Sequence, residues 1–407
     1  MEEWKVYKIK DICKGIYEGP HATPKESQTG GIYLGIPAIS VDGHINFRNA
    51  KRIAEEDLPL WTKRVTPQED DIVFTNEATL NLYALIPAGF HGCLGRRLGL
   101  VRPNNEIVNA KYLFYYFFSP EWRNVISQNK VYGATVERIL MTKFPSFPIK
   151  LPSLSVQNSI VNILSSLDDK IEINRRINEN LEQQAQALFK SWFVDFEPFK
   201  DGEFVESELG MIPKGWRVVS LGDLMCYNGG SQPPASEFIE VYKEGYIRFI
   251  QIRDYASDGH ITYIPISKRN KLCDVKDIMI ARYGASLGRI CFGLKGAYNV
   301  ALAKVTPLKD YFREYLRCFL NTREFYEGIN NKGNRAVQAG FNQSDIQSFR
   351  LPFPTDDDII MVFEKLCSSY FERRLLNDQE SRRLATLRDT LLPKLMSGEL
   401  KVNEVEI

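Results

Sequence analysis

The chain has 407 residues, 44% of them hydrophobic and 25% charged, with 52 Lys and Arg against 51 Asp and Glu. That length exceeds one ordinary core and predicts two or three domains, and the composition is that of a folded globular chain, not a disordered one. A net charge of +1 removes any bulk electrostatic argument for nucleic acid, and the longest apolar stretches, such as KYLFYYFFSPEW, fall short of a membrane span. The opening MEEWKVYKIK is charged and has no signal-peptide core, so a cytoplasmic location is expected. The seven Cys at 13, 93, 226, 273, 291, 318 and 367 form no CxxC and have no nearby His pair to suit zinc, and read as reduced structural thiols.

In chain order, EWKVYKIKDIC (3–13) predicts an aromatic-led strand. The tetrapeptide DGHI follows at 42–45 inside AISVDGHINF. Asp42 beside His44 offers an acid-base pair, but Asp-Gly between β-rich runs is a hairpin signal, because Gly supplies the positive φ of a tight turn; the turn is the expected role. DDIVF (70–74) and GCLGRRLGLVRP (92–103), with its Gly and Pro, come next, then KYLFYYFFSPEW, which predicts a helix, and FPIKLP (147–152). Residues 90–150 carry nine Lys or Arg against three Glu, a local basic and aromatic region that suits phosphate or simply solvent.

The same series then recurs. GWRVVSLGDLMC (215–226) answers EWKVYKIKDIC, DGHI recurs at 258–261 with Asp258 and His260, KDIMI (276–280) answers DDIVF, GAYNVALAKVTP (296–307) answers GCLGRRLGLVRP, REYLRCFLNTRE answers the helix, and FRLPFP (349–354) answers FPIKLP. Residues 268–304 carry eight Lys or Arg against two Asp, so each half owns a basic region. A DGHI turn kept by two divergent copies belongs to a duplicated scaffold, which sets the catalytic reading aside.

A long helix follows each copy. VQNSIVNILSSLDDKIEINRRINENLEQQAQALFKSWF runs without Gly or Pro, and Leu167, Ile171, Asn174, Asn178, Leu181, Ala185, Leu188 and Trp192 alternate spacings of four and three, a coiled-coil seam. Ile360, Phe363, Cys367, Tyr370, Arg374, Asn377, Ser381, Leu384, Arg388, Leu391 and Leu395 repeat the alternation, and both seams are polar in the middle. Each helix would reach roughly 55 Å and is expected to pair with the other. FKSWF (189–193) and LLPKL (391–395) carry apolar groups beyond what a two-helix seam needs; they cover their own domains or dock another protein.

Catalytic motifs are not evident: the sequence has no GxxxxGK[ST], GxGxxG or HExxH. SQPPA has Ala235 where an adenine methyltransferase needs a stacking aromatic, and Glu3 and Lys5 of MEEWK form an ExK without an upstream Asp. The chain reads as a binder.

The order of these segments, with PIKLPSLSVQNSI, SLDDKIEINRRINENLEQQAQALFKSWFVDFEPF, VESELGMIPKGW and LRDTLLPKLMSGELKV, resembles the DNA-specificity subunit of type I restriction-modification systems over the whole chain, most specifically at 166–216 and 386–402. The resemblance implies an α+β fold: two duplicated mixed α/β target-recognition domains separated by two long antiparallel coiled-coil-like helices. The boundaries expected are 1–153 and 214–354 for the domains, 154–197 and 355–400 for the helices, and 198–213 for a linker. It also implies a non-catalytic subunit with no cofactor of its own, which binds double-stranded DNA, each domain reading half of a split site. Its implied partners are two methyltransferase subunits, which use S-adenosylmethionine, and two ATP-dependent restriction-translocase subunits, with no membrane. The site residues implied are Thr75, Asn76, Thr79 and Asn81 in the first loop, FTNEATLNLYA, and Tyr132, Thr135 and Arg138 in KVYGATVERIL (130–140), which resembles the family's second loop. In the second half they are Arg282, Tyr283, Ser286 and Arg289 of IARYGASLGRI, with Gly284 and Gly288 permitting close approach, and Arg335, Gln338 and Asn342 of NRAVQAGFNQSDI. The first loop departs from the pattern, with Glu77 and Asn81 where the glycines would fall, and a different shape is expected there. Partner docking falls to Leu188, Phe189, Trp192, Phe193, Leu391, Leu392 and Leu395. A fused modification-nuclease and a duplicated scaffold that binds only protein remain the competing readings.

Overall fold

The computed structural model describes residues 4–132, 136–256, 259–333 and 340–405. They form two compact units, one running to Ile171 and resuming at Arg383, the other spanning Glu172–Arg382.

Alternation sets the strands of the first unit. In PIKL the pleat turns Ile149 and Leu151 inward and Pro148 and Lys150 outward. The strands are β1 (Lys5–Lys8), β2 (Cys13–Glu18), β3 (Gly31–Leu34), β4 (Lys51–Ile53), β5 (Ile72–Thr75), β6 (Tyr83–Leu85), β7 (Gly92–Leu94), β8 (Leu98–Pro103), β9 (Lys130–Tyr132), β10 (Glu137–Ile139) and β11 (Pro148–Leu151). Helices α1 (Leu58–Trp61), α2 (Ala110–Tyr116) and α3 (Pro120–Asn129) lie between them. Asn109 caps α2 and Ser119 caps α3, where Pro120 suits the first turn. One sheet has the order β2-β8-β5-β6, a second β4-β3-β7, and β1-β11 and β9-β10 are pairs. Every residue of β5 is buried, as its unbroken apolar run requires. The DGHI tetrapeptide makes a turn, with Gly43 at φ 90° and Ile39 bridged to Ile45. The corresponding turn in the second half falls partly on Ser257 and Asp258, outside the described residues.

The long helix α4 (Leu154–Phe193) links the two halves of the sequence. The second unit then repeats the plan: β12 (Phe204–Ser207), β13 (Gly210–Pro213), β14 (Trp216–Ser220), β15 (Met225–Gly229), β16 (Tyr246–Ile250), β17 (Thr262–Pro265), β18 (Leu272–Cys273), β19 (Ile278–Ala281), β20 (Ile290–Cys291), β21 (Gly296–Tyr298), β22 (Leu302–Pro307) and β23 (Arg350–Pro354). Its helices are α5 (Arg313–Leu320), α6 (Arg323–Gly333), α7 (Gln343–Gln347) and the long α8 (Asp357–Ser397). The main sheet has the order β15-β22-β19-β20, the counterpart of β2-β8-β5-β6, and β14-β23 answers β1-β11. The expected linker is structured: β12 and β13 form an antiparallel hairpin, and Ile212 is buried in the unit's core. The reason lies in ESELGM, whose Gly210 at φ 93° closes a tight turn between two short extended runs.

Within the first unit, Ile160 and Leu164 of α4 share a core with Leu392, Leu395 and Met396 of α8 and with Tyr112 and Trp122. The Arg388 guanidinium donates to Asp168 at 2.7 Å, and the Tyr115 hydroxyl donates to the other oxygen of that carboxylate at 2.6 Å. Within the second unit the seam turns polar. Asn174 and Asn377 are buried, and Asn174 Nδ2 donates to Glu380 at 2.8 Å and to the Ser381 hydroxyl at 3.3 Å. Asn377 Nδ2 donates to Asn178 Oδ1 at 2.8 Å, and Asn178 Nδ2 donates to Asp378 at 2.7 Å. The buried stripe of α8 is wider than the seam predicts: Phe371 and Leu375 are covered, while Tyr370 and Arg374 are only half-buried. This face also packs on its own unit, with Phe371 edge-on to Phe292 at 4.9 Å and under the Arg317 guanidinium at 3.4 Å.

The Asn pairs fix how α4 meets α8 in this unit. Replacing Asn377 by Leu keeps the branched outline of the side chain but strips the Asn178 carbonyl of its donor, so the Asn377→Leu chain should lose about 1–3 kcal/mol in urea unfolding. An unchanged midpoint would show that the pair contributes nothing.

Charge is also buried in this unit. Glu314 and Arg317 pair at 2.9 Å inside it, and the Glu314 N–H donates to Glu364 of α8 at 2.7 Å. Burial pushes the Glu364 carboxyl up to about 7, aided by the neighbouring Glu314 and opposed by that N–H, Arg313 and Arg317. The folded unit therefore holds a proton that the unfolded chain has released, and stability falls as pH rises from the ordinary carboxyl range through about 7. Unfolding of the Glu364→Gln chain at pH 5 and pH 8 should show that fall reduced by about 1–2 kcal/mol, a figure discounted for partial exposure. An equal fall in both chains would assign it to other groups.

Candidate nucleic-acid interface

In the first unit the loop after β5 begins where that strand's amides need new partners. Thr75 is buried: its N–H donates to Leu82 O at 3.0 Å, and its hydroxyl accepts from Leu82 N at 3.2 Å. Asn76 is also buried, and its N–H donates to Arg97 O at 3.1 Å, its carbonyl accepts from Ile139 N at 2.8 Å, and its side-chain amide donates to Glu18 at 3.1 Å. These two residues, expected to face bases, hold the loop instead, because the strand end they occupy is sealed on both sides. Asn81 stands at φ 65°, and its side-chain oxygen accepts from the Tyr83 hydroxyl at 3.0 Å, which in turn accepts from the Trp122 indole N–H at 3.0 Å. What the loop turns outward is Thr79, with Glu77 half-exposed beside it.

The companion hairpin β9-β10 docks on this loop. Glu77 bridges Arg138, and the Ala78 N–H donates to Glu137 O at 2.9 Å. Arg138 is exposed, and Tyr132 is 79% exposed with the Lys130 ammonium 5.8 Å from its ring centre. The β7-β8 turn adds Arg96, exposed, and Arg97, whose Nε lies 3.0 Å from Glu77 Oε1. Glu77 and Arg97 were not among the residues expected here. The signal for this turn is the adjacent Arg96-Arg97 pair within GCLGRRLG.

The second unit builds the same loop from different residues. Ala281 N–H donates to Arg289 O at 2.9 Å and Arg282 N–H to Ala301 O at 2.8 Å, the counterparts of the Thr75–Leu82 and Asn76–Arg97 bonds. Gly284 at φ 70° and Gly288 at φ 80° answer Ala78 at φ 71° and Asn81 at φ 65°. The first loop, one residue shorter between its locked ends and without the 3-10 turn at Gly284–Ser286, therefore differs in shape but keeps the same two left-handed positions. The glycine position falls on Ala78, one residue beyond Glu77, and a left-handed Ala takes it at a cost of about 1 kcal/mol. The Arg282 guanidinium lies 5.0 Å from the Tyr283 ring centre and 5.9 Å from that of Tyr227, held between two aromatic faces. Tyr283 bridges Gly340, where an added Cβ would stand 2.7 Å from the Tyr283 ring. Ser286 is half-buried and Arg289 exposed. Asn342 caps α7, its side-chain oxygen accepting from Asp345 N at 3.1 Å and from the Ser344 hydroxyl at 2.6 Å, which leaves only its amino group for bases. Thr135, Arg335 and Gln338 lie outside the described residues.

Four of the expected docking residues are spent on their own units. Phe189 and Phe193 stack into the second unit's core against Tyr315 and Phe363, and Leu392 and Leu395 fill the first unit's core. The C-terminal end of each long helix is taken into the core of the copy it does not follow in sequence. Leu188, Trp192 and Leu391 keep part of their surface open. Among the described residues, no group of three His, Cys, Asp or Glu side chains is placed to hold a metal ion, and no helix is long and apolar enough to cross a membrane.

This duplicated plan has relatives. The model of the type I restriction modification DNA specificity domain matches the chain at residues 1–183 and again at 213–368. The MjaIX specificity subunit of the type I restriction enzyme of Methanocaldococcus jannaschii is 29% identical, over 99% of this chain and 95% of its own. The HindI specificity subunit of Haemophilus influenzae is 24% identical over 98% of this chain and 100% of its own. Among solved structures, the S subunit of a type I restriction-modification system from M. genitalium shares the fold with a TM-score of 0.58 at 16% identity, over 97% of this chain and 96% of that one. The chain belongs to the type I restriction modification DNA specificity family and carries that domain twice.

Loop equivalence makes a quantitative prediction. A Cβ on Gly284 meets nothing within 4 Å, so Gly284→Ala should cost only the backbone term that Ala78 already bears, about 1 kcal/mol. A Cβ on Gly288 would stand 2.7 Å from Ile329 Cγ2, so Gly288→Ala should cost about 2 kcal/mol or more by thermal unfolding. Equal costs would contradict the equivalence.

Proposed function

We propose that each unit reads one half of a split double-stranded DNA site, and that the chain is the non-catalytic specificity subunit of a type I restriction-modification complex. The observation that carries this is the same locked loop, with the same four backbone positions, built twice from different side chains. A scaffold repeated with altered surface chemistry suits two readers of two sequences. Exposed Arg96 suits phosphates, which position a protein without carrying sequence information. Thr79, Tyr132 and Arg138 in the first unit, and Arg282, Tyr283, Ser286 and Arg289 in the second, are the reading residues of this proposal, with Asn81 offering its side-chain amino group.

The long helices set the unspecified length between the half-sites. They also give the methyltransferase subunits a surface that includes Leu188, Trp192 and Leu391, and the ATP-dependent restriction subunits join that assembly. The location proposed is the cytoplasm, where the DNA is.

One methylome experiment, on cells expressing the chain with its cognate methyltransferase, tests both ideas. Exchanging residues 1–150 for the first domain of another family member should change one half-site and leave the other as it was. Adding four residues to each long helix, about one turn and roughly 6 Å, should lengthen the spacer by about one or two base pairs at about 3.4 Å each, without changing either half-site. A chimera that alters both half-sites would end the modular reading. An inserted chain that methylates only the original spacing would end the spacer role.

A further inference from the structure

We propose that Glu77 and Arg97 together read one G·C base pair in the half-site bound by the first unit, Arg97 donating to guanine O6 and N7 and Glu77 accepting from the cytosine amino group. The proposal rests on the two-reader interpretation above and names the chemistry of one reader.

The two side chains come from different turns brought together by the main chain. The Asn76 N–H donates to Arg97 O at 3.1 Å, locking the β5-β6 loop onto the β7-β8 turn, and Arg97 Nε then lies 3.0 Å from Glu77 Oε1. Arg97 holds a left-handed backbone, φ 71°, while its counterpart Ala301 does not. The shared scaffold therefore does not demand that conformation; what it achieves is the placement of this one guanidinium. Strain kept where the fold does not need it marks a functional position.

Stability does not account for the pair. Its side chains are 34% and 35% exposed, and ion pairs open to water to that extent contribute little. Its Nε–H is not aligned on the carboxylate as a hydrogen bond, and among the described residues the guanidinium has no other partner. The terminal amino groups of Arg97 thus remain as two parallel donors, the arrangement that guanine accepts in the major groove. A carboxylate facing phosphates is repelled unless it meets a donor, and the cytosine amino group is the donor that lies beside guanine O6 in the same base pair. Exposed Arg138, bridged to Glu77 along the backbone, and Arg96 next to Arg97 supply the positive surroundings that let a carboxylate approach DNA.

The test uses the chain assembled with its methyltransferase and a series of duplexes in which each base pair of the half-site assigned to the first unit by the domain exchange is replaced in turn. The wild-type complex should methylate a duplex altered at one G·C pair about tenfold to a hundredfold more slowly. Glu77→Gln, which keeps the side-chain shape, and Arg97→Lys, which keeps its charge, should each erase most of that discrimination at the same position and leave the other positions unchanged. A half-site with no G·C pair overturns the proposal, as does wild-type discrimination at every position in both variants, even if their thermal stability falls. A domain exchange that leaves the half-site unchanged overturns the two-reader interpretation instead, so the two failures are distinct.

Discussion

The last amides of a buried strand must find partners as the chain leaves the sheet, and the architecture of both candidate interfaces follows from how that is done. At the end of β5 the donors and acceptors of Thr75 and Asn76 are taken by Leu82, Arg97 and Ile139, which ties three separate segments to one point. At the end of β19 the bonds of Ala281 and Arg282 to Arg289 and Ala301 tie two segments in the corresponding way. Because the lock is made by the main chain, the side chains that rise above it are free to differ. Where the first unit has a carboxylate, the second has a tyrosine, and where one buries an asparagine amide the other extends an arginine between two rings. A rigid frame with exchangeable chemistry is what a pair of readers requires.

Much of this plan was legible in the sequence. Two copies in the same order, with strands and helices at matching positions, follow from hydrophobic periodicity and turn residues, which act locally. The long helices were legible for the same reason, as was the change from apolar to polar along the seam at Asn174 and Asn377. Less legible was which polar loop residue faces out. Thr75 and Asn76 have the composition of base-reading residues, yet burial by β8 and the β9-β10 hairpin makes them supports, and that burial is a property of distant segments. Asn342 is of the same kind: a capping residue and a DNA-reading residue are the same amino acid until the helix behind it is seen. The glycine rule misled at Ala78 because a left-handed alanine is only mildly unfavourable, so the absence of glycine did not mean the absence of the turn. The apolar groups of FKSWF and LLPKL offered two uses, and the domains behind them claimed Phe189, Phe193, Leu392 and Leu395.

The polar seam shows a similar economy. A helix pair made wholly of leucine would bind more tightly, and it would also slide. Buried amides that must meet amides remove that freedom, since a shifted partner leaves them without hydrogen bonds. In the second unit Asn174, Asn178 and Asn377 form such a set, flanked by the ion pair of Arg374 with Glu182.

The composition of the first unit has a consequence for how the molecule is made. Its core contains Leu392, Leu395 and Met396, which are synthesised after the whole of the second unit, beside Tyr112 and Trp122, which precede it. The second unit is one uninterrupted stretch of sequence. A ribosome delivering about 5–20 residues each second therefore releases everything the second unit needs before the first can close, although the first was begun earlier. The order of birth and the order of completion are reversed. Until α8 arrives, the open apolar edge of the earlier domain is the part of the nascent chain most exposed to aggregation.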